Sequence, residues 1–275
     1  MTSTRMTKSI NPCLVFEKWK EVAYVMKRII ACVLVLCGLS ILMFGCAKES
    51  DINVSFCEYP GLKWGMTVDE VRAALNLEED QISAEYIGEK TSRLVVKDLT
   101  LFDNQVEIAL FNFLPPERGQ YGLVPSELGV FGLANVEVYF TEDTDMARVC
   151  DAIIEIYGDD VSSVPAYYLR DGEVVEEIWA RPDAAEFGHW WTGNSKIEDV
   201  IPAEKMQEVI EYYASVFPEA TMNTIEEWLE LRNFGLIKLW DHSIEDGYTP
   251  AEGYTGKGVK FYGDDICQLL LNYGK

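Results

Sequence analysis

The chain has 275 residues, of which 23 are basic and 46 acidic, and its net charge at neutral pH is −23. Such an acidic surface repels the phosphates of nucleic acids, so we expect no nucleic-acid partner. Nearly half of the residues (48%) are hydrophobic, which at this length is enough to bury a large core.

A charged pair followed by an apolar run lies near the N-terminus. Lys-Arg at 27–28 precedes the apolar stretch Ile29 to Phe44, which is shorter than the about 20 residues that a transmembrane helix needs. The stretch ends at Gly45 and Cys46, which resemble the lipobox of bacterial lipoproteins. That resemblance implies a signal peptide over 26–45 and a lipidated Cys46, which anchors the protein to the outer face of the cytoplasmic membrane. An uncleaved anchor and an ordinary secretion signal are the alternatives.

Residues 1–25 precede this signal and include a charged segment that has no part in a Sec-type signal. The codons of Lys20, Glu21 and Val22 can contain a strong ribosome-binding sequence a short distance before Met26. We therefore predict that Met26 is the true start and that residues 1–25 are not translated.

Beyond the signal, the sequence predicts a tether over residues 46–56 and one extracytoplasmic domain over residues 57–275. Together they keep 17 basic and 44 acidic side chains, a net charge of −27. Cys57, Cys150 and Cys267 lie in the domain. This odd number allows at most one disulfide, whose pairing the sequence leaves open.

The clearest helix start lies at residues 66–71. Thr67 and Glu70 have the spacing of a capping box, and Met66 and Val71 that of a hydrophobic staple. The segment 61–75 resembles two groups of bacterial envelope proteins, the SmpA/OmlA-type lipoproteins and proteins with the β-lactamase-inhibitor-protein-like fold. The resemblance implies a protein-binding lipoprotein with a helix-helix-sheet unit, and it transfers no functional residue.

Further elements follow from hydrophobic periodicity and turn residues. Apolar residues from Met146 to Tyr157 recur at helical spacing, with Thr144 as the predicted N-cap. Other helices are predicted near Pro202 to Val216 and Thr224 to Leu231. Strands are predicted at Leu94 to Val96, Leu99 to Phe102, Val106 to Phe113, Val136 to Phe140, Tyr167 to Leu169, Val174 to Trp179, Leu236 to Trp240, Val259 to Tyr262 and Ile266 to Leu271.

Strands and helices come in blocks without strict alternation, which favours an α+β fold with an antiparallel sheet and packed helices. The two halves of the domain could be divergent copies of one helix-sheet unit, although no phrase recurs at a fixed period.

The sequence contains no familiar catalytic or metal-binding motif, so we predict no catalytic residue, no metal and no cofactor. The carboxylate pairs Asp159-Asp160 and Asp264-Asp265 could serve a glycosidase. Both pairs lie where turns are predicted, however, and turn chemistry is the simpler explanation.

Two aromatic-polar stretches, 187–194 and 247–256, are the candidate binding surfaces, because flat rings beside polar groups stack on sugars or hold peptides. Consecutive tryptophans in a strand point to opposite faces, so at least one of the pair is expected to be buried. The candidate ligand-binding residues are Trp190, Trp191, Asn194, Tyr248 and Tyr254.

The sequence leaves three functions open. The first is a non-catalytic interaction or structural module, anchored in the membrane, with an unknown protein partner. The second is a lipoprotein that binds glycans or peptidoglycan fragments, and the third is a hydrolase of envelope polymers.

Overall fold

The computed structural model describes residues 54–87, 91–115, 131–180, 187–232, 234–242 and 254–273. The chain divides into two compact units, Met1–Ser50 and Asp51–Lys275, and every described residue belongs to the second unit. The signal peptide, Cys46 and Tyr248 lie outside the described residues.

One antiparallel sheet of eight strands dominates the described part of the chain, and its strand order is β1-β2-β4-β5-β10-β9-β8, with β3 paired to β4. A separate antiparallel hairpin consists of β6 and β7. The strands are β1 (Ile82–Ile87), β2 (Ser92–Val96), β3 (Leu99–Leu101), β4 (Asn104–Leu114), β5 (Gly132–Phe140), β6 (Ser163–Arg170), β7 (Glu173–Ala180), β8 (Phe187–Ser195), β9 (Phe234–Asp241) and β10 (Lys257–Tyr262).

Within the described residues, six α-helices and two short 3-10 turns accompany the strands. The helices are α1 (Val68–Leu75), α2 (Met146–Tyr157), α3 (Ile197–Val200), α4 (Ala203–Val216), α5 (Met222–Leu231) and α6 (Asp264–Tyr273), and the 3-10 turns are Val54–Phe56 and Glu79–Gln81. The predicted α+β class with an antiparallel sheet is therefore confirmed. No helix in the described ranges is long and apolar enough to cross a membrane.

One face of the sheet is the hydrophobic core. Strand alternation buries every second residue over 134–140 in β5 and over 237–241 in β9, and the buried positions include Val136, Val138, Ile237 and Leu239. The ring of Tyr59 packs edge-on against Phe111 and Phe261 on this face, with centroid separations of 5.8 and 5.4 Å. The core face is therefore closed by the segment that enters the domain.

The N-terminal turn Val54–Phe56 lies against the same sheet. The indole Nε1 of Trp64 donates a hydrogen bond to the Phe56 carbonyl at 2.9 Å. An added Cβ at Gly193 in β8 would lie 2.1 Å from the Ser55 carbonyl oxygen. The last residues of the predicted tether are thus packed against β8.

The predicted start of α1 is confirmed. The Thr67 hydroxyl accepts a hydrogen bond from the Glu70 amide at 3.3 Å, while the Glu70 carboxylate accepts from the Thr67 amide at 2.8 Å. This reciprocal pair satisfies two of the amide donors that a helix N-terminus leaves open.

Three details of the sequence prediction are wrong. Residues 266–271 were predicted as a strand but lie in α6, whose Ile266 and Leu269 face the core at helical spacing. Asp264 and Asp265 begin this helix rather than a turn, where carboxylates interact favourably with the helix dipole. The N-cap of α2 is Asp145 rather than Thr144, because the Asp145 side chain accepts the Ala147 amide at 3.1 Å.

The three cysteines of the domain are buried and form no disulfide with one another. Cys150 lies on the core side of α2, as the helical periodicity predicts. Burial raises the pKa of the Cys57 and Cys267 thiols from 9.0 to about 12. Both thiols therefore stay protonated in the folded protein at pH values that ionise them in the unfolded chain.

We expect the free energy of unfolding to fall as the pH rises from 9 toward 12. Because the unfolded chain binds fewer protons in this range, each buried thiol contributes a slope of about −1.4 kcal/mol per pH unit. Cys267→Ala and Cys267→Ser should both remove one such contribution in urea unfolding at pH 9.5 and 10.5. The serine variant can keep the hydrogen bond that the Cys267 thiol donates to the Gly132 carbonyl at 3.2 Å, so an unchanged slope in both variants would contradict the prediction.

Candidate functional site

The face of the sheet opposite the core carries polar and aromatic side chains. The pairing register places Trp190 of β8, Lys238 of β9, Lys260 of β10 and Glu137 of β5 in one row. All four side chains are half-buried. The row runs across four neighbouring strands and forms the floor of a cleft at its β8 end.

A cleft of about 920 Å³ lies between this face, the β6–β7 hairpin and helices α4, α5 and α6. The volume is within the range of small-molecule binding sites. The floor is formed by Trp190, Thr192, Leu236, Lys238 and Tyr262, the hairpin wall by Val164, Ala166, Tyr168 and Trp179, and the helical wall by Tyr212, Tyr213, Trp228, Arg232, Asp264, Asp265, Gln268, Asn272 and Tyr273.

The walls of the cleft are largely aromatic. Tyr168 of β6 and Trp179 of β7 have ring centroids 6.4 Å apart, and Trp179 is 47% exposed. Trp228 is held in place from two sides: its Nε1 donates to the Tyr167 carbonyl at 2.9 Å, and the Tyr213 ring packs edge-on at 5.1 Å. The cleft therefore combines rigid rings in its depth with an exposed ring at its rim.

The charged groups of the cleft are paired with one exception. Arg232 forms an ion pair with Asp265, and its guanidinium lies 4.6 Å from the centroid of the Trp228 ring. Lys260, beside the cleft, contacts Glu137 at 3.3 Å. Lys238 is different, because no described residue forms an ion pair or a side-chain hydrogen bond with its amine.

Two further hydrogen-bond donors of the cleft residues lack partners. The nitrogens Trp190 Nε1 and Gln268 Nε2 are shielded from solvent, and no described residue accepts a hydrogen bond from either. An unsatisfied buried donor costs about 1–3 kcal/mol. Both residues line the same cleft, although neither nitrogen is open to the solvent in it.

A ladder of polar side chains crosses the same face of the sheet and ends at the cleft. Arg93 Nε donates to Asn112 Oδ1 at 2.6 Å, and Asn112 Nδ2 donates to Asn135 Oδ1 at 2.8 Å. Asn135 Nδ2 then donates to the Asp264 carboxylate at 3.2 Å. The ladder fixes the carboxylate at the start of α6.

A second aromatic cluster lies on this face beyond Lys238. The Tyr139 ring packs edge-on against Trp240 at 5.9 Å and Tyr254 at 4.7 Å. The Trp240 ring covers Gly258, where an added Cβ would come within 2.3 Å of it. Three interstrand spacings, about 14 Å, separate β8 from β5, so the cluster extends the surface that begins at Trp190.

The five candidate ligand-binding residues predicted from the sequence do not all lie at the cleft. Trp190 lines the cleft, and Tyr254 lies on the same sheet face. The prediction that Trp191 contacts a ligand needs correction. Trp191 is only 1% exposed, its Nε1 donates to the Gly158 carbonyl at 2.9 Å, and its ring is unavailable to a ligand. Asn194 is exposed but is not among the residues lining the cleft. Tyr248 lies outside the described residues.

Sequence reasoning missed most of the cleft. One sequence signal could have indicated the cleft, namely that pairs of adjacent aromatic residues recur. They occur at Tyr167-Tyr168 and Tyr212-Tyr213 as well as at Trp190-Trp191. All four of these tyrosines line the cleft. Nothing local in the sequence indicates that these pairs come together.

No group of three His, Cys, Asp or Glu side chains within the described residues could hold a metal ion. His189 Nδ1 contacts Asp160 at 2.7 Å. Because His189 directly precedes Trp190 in β8, it faces the opposite side of the sheet from the cleft.

Comparison of the chain with protein-family models, with curated proteins and with solved structures gives no match.

Proposed function

We propose that the protein is a lipid-anchored, extracytoplasmic lipoprotein that binds a ligand without transforming it, and that the ligand is a glycan or a peptidoglycan fragment. The observation that carries the proposal is the cleft of about 920 Å³ with aromatic side chains on its floor and both walls. Sites of this kind use ring faces for affinity and a few polar groups for orientation. The anchor at Cys46 is part of the proposal and rests on the lipobox resemblance.

A hydrolase of envelope polymers is less well supported. A glycosidase needs two carboxyl groups on opposite sides of the scissile bond. The two carboxylates that line the cleft, Asp264 and Asp265, are neighbours on one helix. Asp265 pairs with Arg232 and Asp264 accepts a hydrogen bond from Asn135, so both already have structural partners.

An interaction module for another protein is the second candidate function. Large hydrophobic side chains are exposed on β1 and β7, where Ile87 is 77% and Ile178 is 58% exposed. Exposed apolar side chains that cluster on a surface are typical of protein-binding sites. These two strands belong to different sheets, however, so the exposed residues do not form one continuous patch along a strand.

The test is a binding titration of the full-length protein in detergent, in which tryptophan fluorescence is the measured signal. Soluble peptidoglycan fragments and neutral oligosaccharides are the probes. Trp190→Ala and Trp179→Ala should each weaken binding at least about tenfold, since losing one aromatic contact costs on the order of 1.4 kcal/mol or more. Tyr86→Ala removes an exposed ring outside the cleft (62% exposed) and is the matched control.

Two results would overturn the proposal. One is the absence of any saturable binding by the wild-type protein. The other is binding that Trp190→Ala and Trp179→Ala weaken no more than Tyr86→Ala does.

A further inference from the structure

We propose that the cleft selects an acidic saccharide, with a ligand carboxylate at Lys238 and a sugar ring against Trp190. This inference rests on the proposed function and names the class of ligand for the same site. Its basis is the set of polar groups in the cleft that have no partner within the described residues.

The first observation is the placement of Lys238. Its cross-strand neighbours in the register are Trp190 on β8 and Lys260 on β10. Like charges directly opposite each other destabilise a sheet, and here Glu137 contacts Lys260 while no described residue pairs with Lys238. In a chain with twice as many acidic as basic side chains, an unpaired lysine beside another lysine is best explained by an anion that binds there.

The second observation is that the groups without partners are donors of hydrogen bonds rather than acceptors. The amine of Lys238, the indole Nε1 of Trp190 and the amide Nε2 of Gln268 are all hydrogen-bond donors. All three residues line one cleft. The Trp190 and Gln268 nitrogens are shielded from solvent, so the charge of the half-buried Lys238 decides the complementary ligand. Such a ligand carries a negative charge, as the carboxylate of a sugar acid does.

The third observation favours a saccharide over an acidic peptide. Extended peptides commonly bind by adding a strand to a free sheet edge. At Trp190 the edge of β8 is already paired, because the Val161 amide donates to the Trp190 carbonyl at 2.7 Å. The cleft instead offers side chains for recognition, and exposed rings such as Trp179 suit the flat face of a pyranose.

The test compares trigalacturonate with its methyl ester, which has the same rings and linkages but no charge. With the full-length protein in detergent, the acid should bind at least about tenfold more tightly than the ester, and added salt should weaken binding of the acid only. Lys238→Gln should abolish this difference. Lys97→Gln removes an exposed lysine directly after β2 and should preserve this difference. Unchanged thermal unfolding of both variants verifies that they fold.

The outcomes distinguish this inference from the proposed function. Equal affinity for acid and ester would overturn the preference for a charged ligand and leave a saccharide-binding cleft. Binding of neutral saccharides or peptidoglycan fragments without any binding of trigalacturonate would do the same. If Lys97→Gln also loses the preference for the acid, the overall charge of the protein, and not Lys238 itself, causes that preference. Tighter binding of hexaglutamate, with the same dependence on Lys238, would replace the saccharide by an acidic peptide.

Discussion

Replacing Trp191 with alanine is expected to lower the free energy of unfolding by about 3–5 kcal/mol. The ring is almost completely buried, and its Nε1 hydrogen bond to the Gly158 carbonyl ties β8 to the end of α2. Alanine would leave a cavity and an unpaired carbonyl oxygen, and both effects destabilise the folded state. The measurement is urea unfolding of the full-length protein, with circular dichroism as the signal.

The adjacent residue provides the matched control. Trp190 is half-buried, and its indole nitrogen has no acceptor among the described residues. Trp190→Ala should therefore cost clearly less stability than Trp191→Ala, and it should weaken ligand binding. Equal losses of stability in the two variants would contradict the assignment of one tryptophan to the core and the other to the cleft.

Gly193→Ala is expected to destabilise the domain by about 3 kcal/mol. A Cβ at this position would lie 2.1 Å from two carbonyl oxygens, one of Phe234 in β9 and the other of Ser55 in the N-terminal turn. Backbone atoms on both sides leave the methyl group nowhere to go, so the strands or the turn must shift. The thermal unfolding temperature of the full-length protein is the measurement.

Gly188→Ala tests the same substitution in the same strand. The nearest atom to an added Cβ there is the Leu239 carbonyl oxygen at 3.9 Å, an ordinary contact. We expect this variant to change stability by no more than about 0.5 kcal/mol. If Gly193→Ala is equally mild, the turn Val54–Phe56 does not pack against β8.

The elements that could be predicted from the sequence are those with a strong local signal. The capping residues of α1 and the apolar spacing of α2 define their helices within a few residues. The two strands of the β6–β7 hairpin are also predicted, and between them Asp171 and Gly172 have φ angles of 52° and 80°, which suit these two residue types. The fold class follows from these signals taken together.

The remaining features depend on contacts between distant parts of the chain. The apolar run 266–271 fits a strand and a buried helix equally well, and only the packing of α6 against β4 and β5 decides between them. The cleft depends on β5 pairing with β10, which places Glu137 beside Lys260 across more than a hundred residues. No local pattern encodes such a pairing. For this reason the sequence predicts Trp190 as a ligand-binding residue but not Lys238.

The ladder from Arg93 to Asp264 has an electrical direction. Each of its three links donates toward the next residue, so the two amide dipoles of Asn112 and Asn135 align from a guanidinium cation at β2 to a carboxylate at α6. Aligned hydrogen bonds polarise and strengthen one another. The positive ends of both amide dipoles point toward Asp264 and stabilise its negative charge, which lowers the repulsion that an anionic ligand would meet in the cleft.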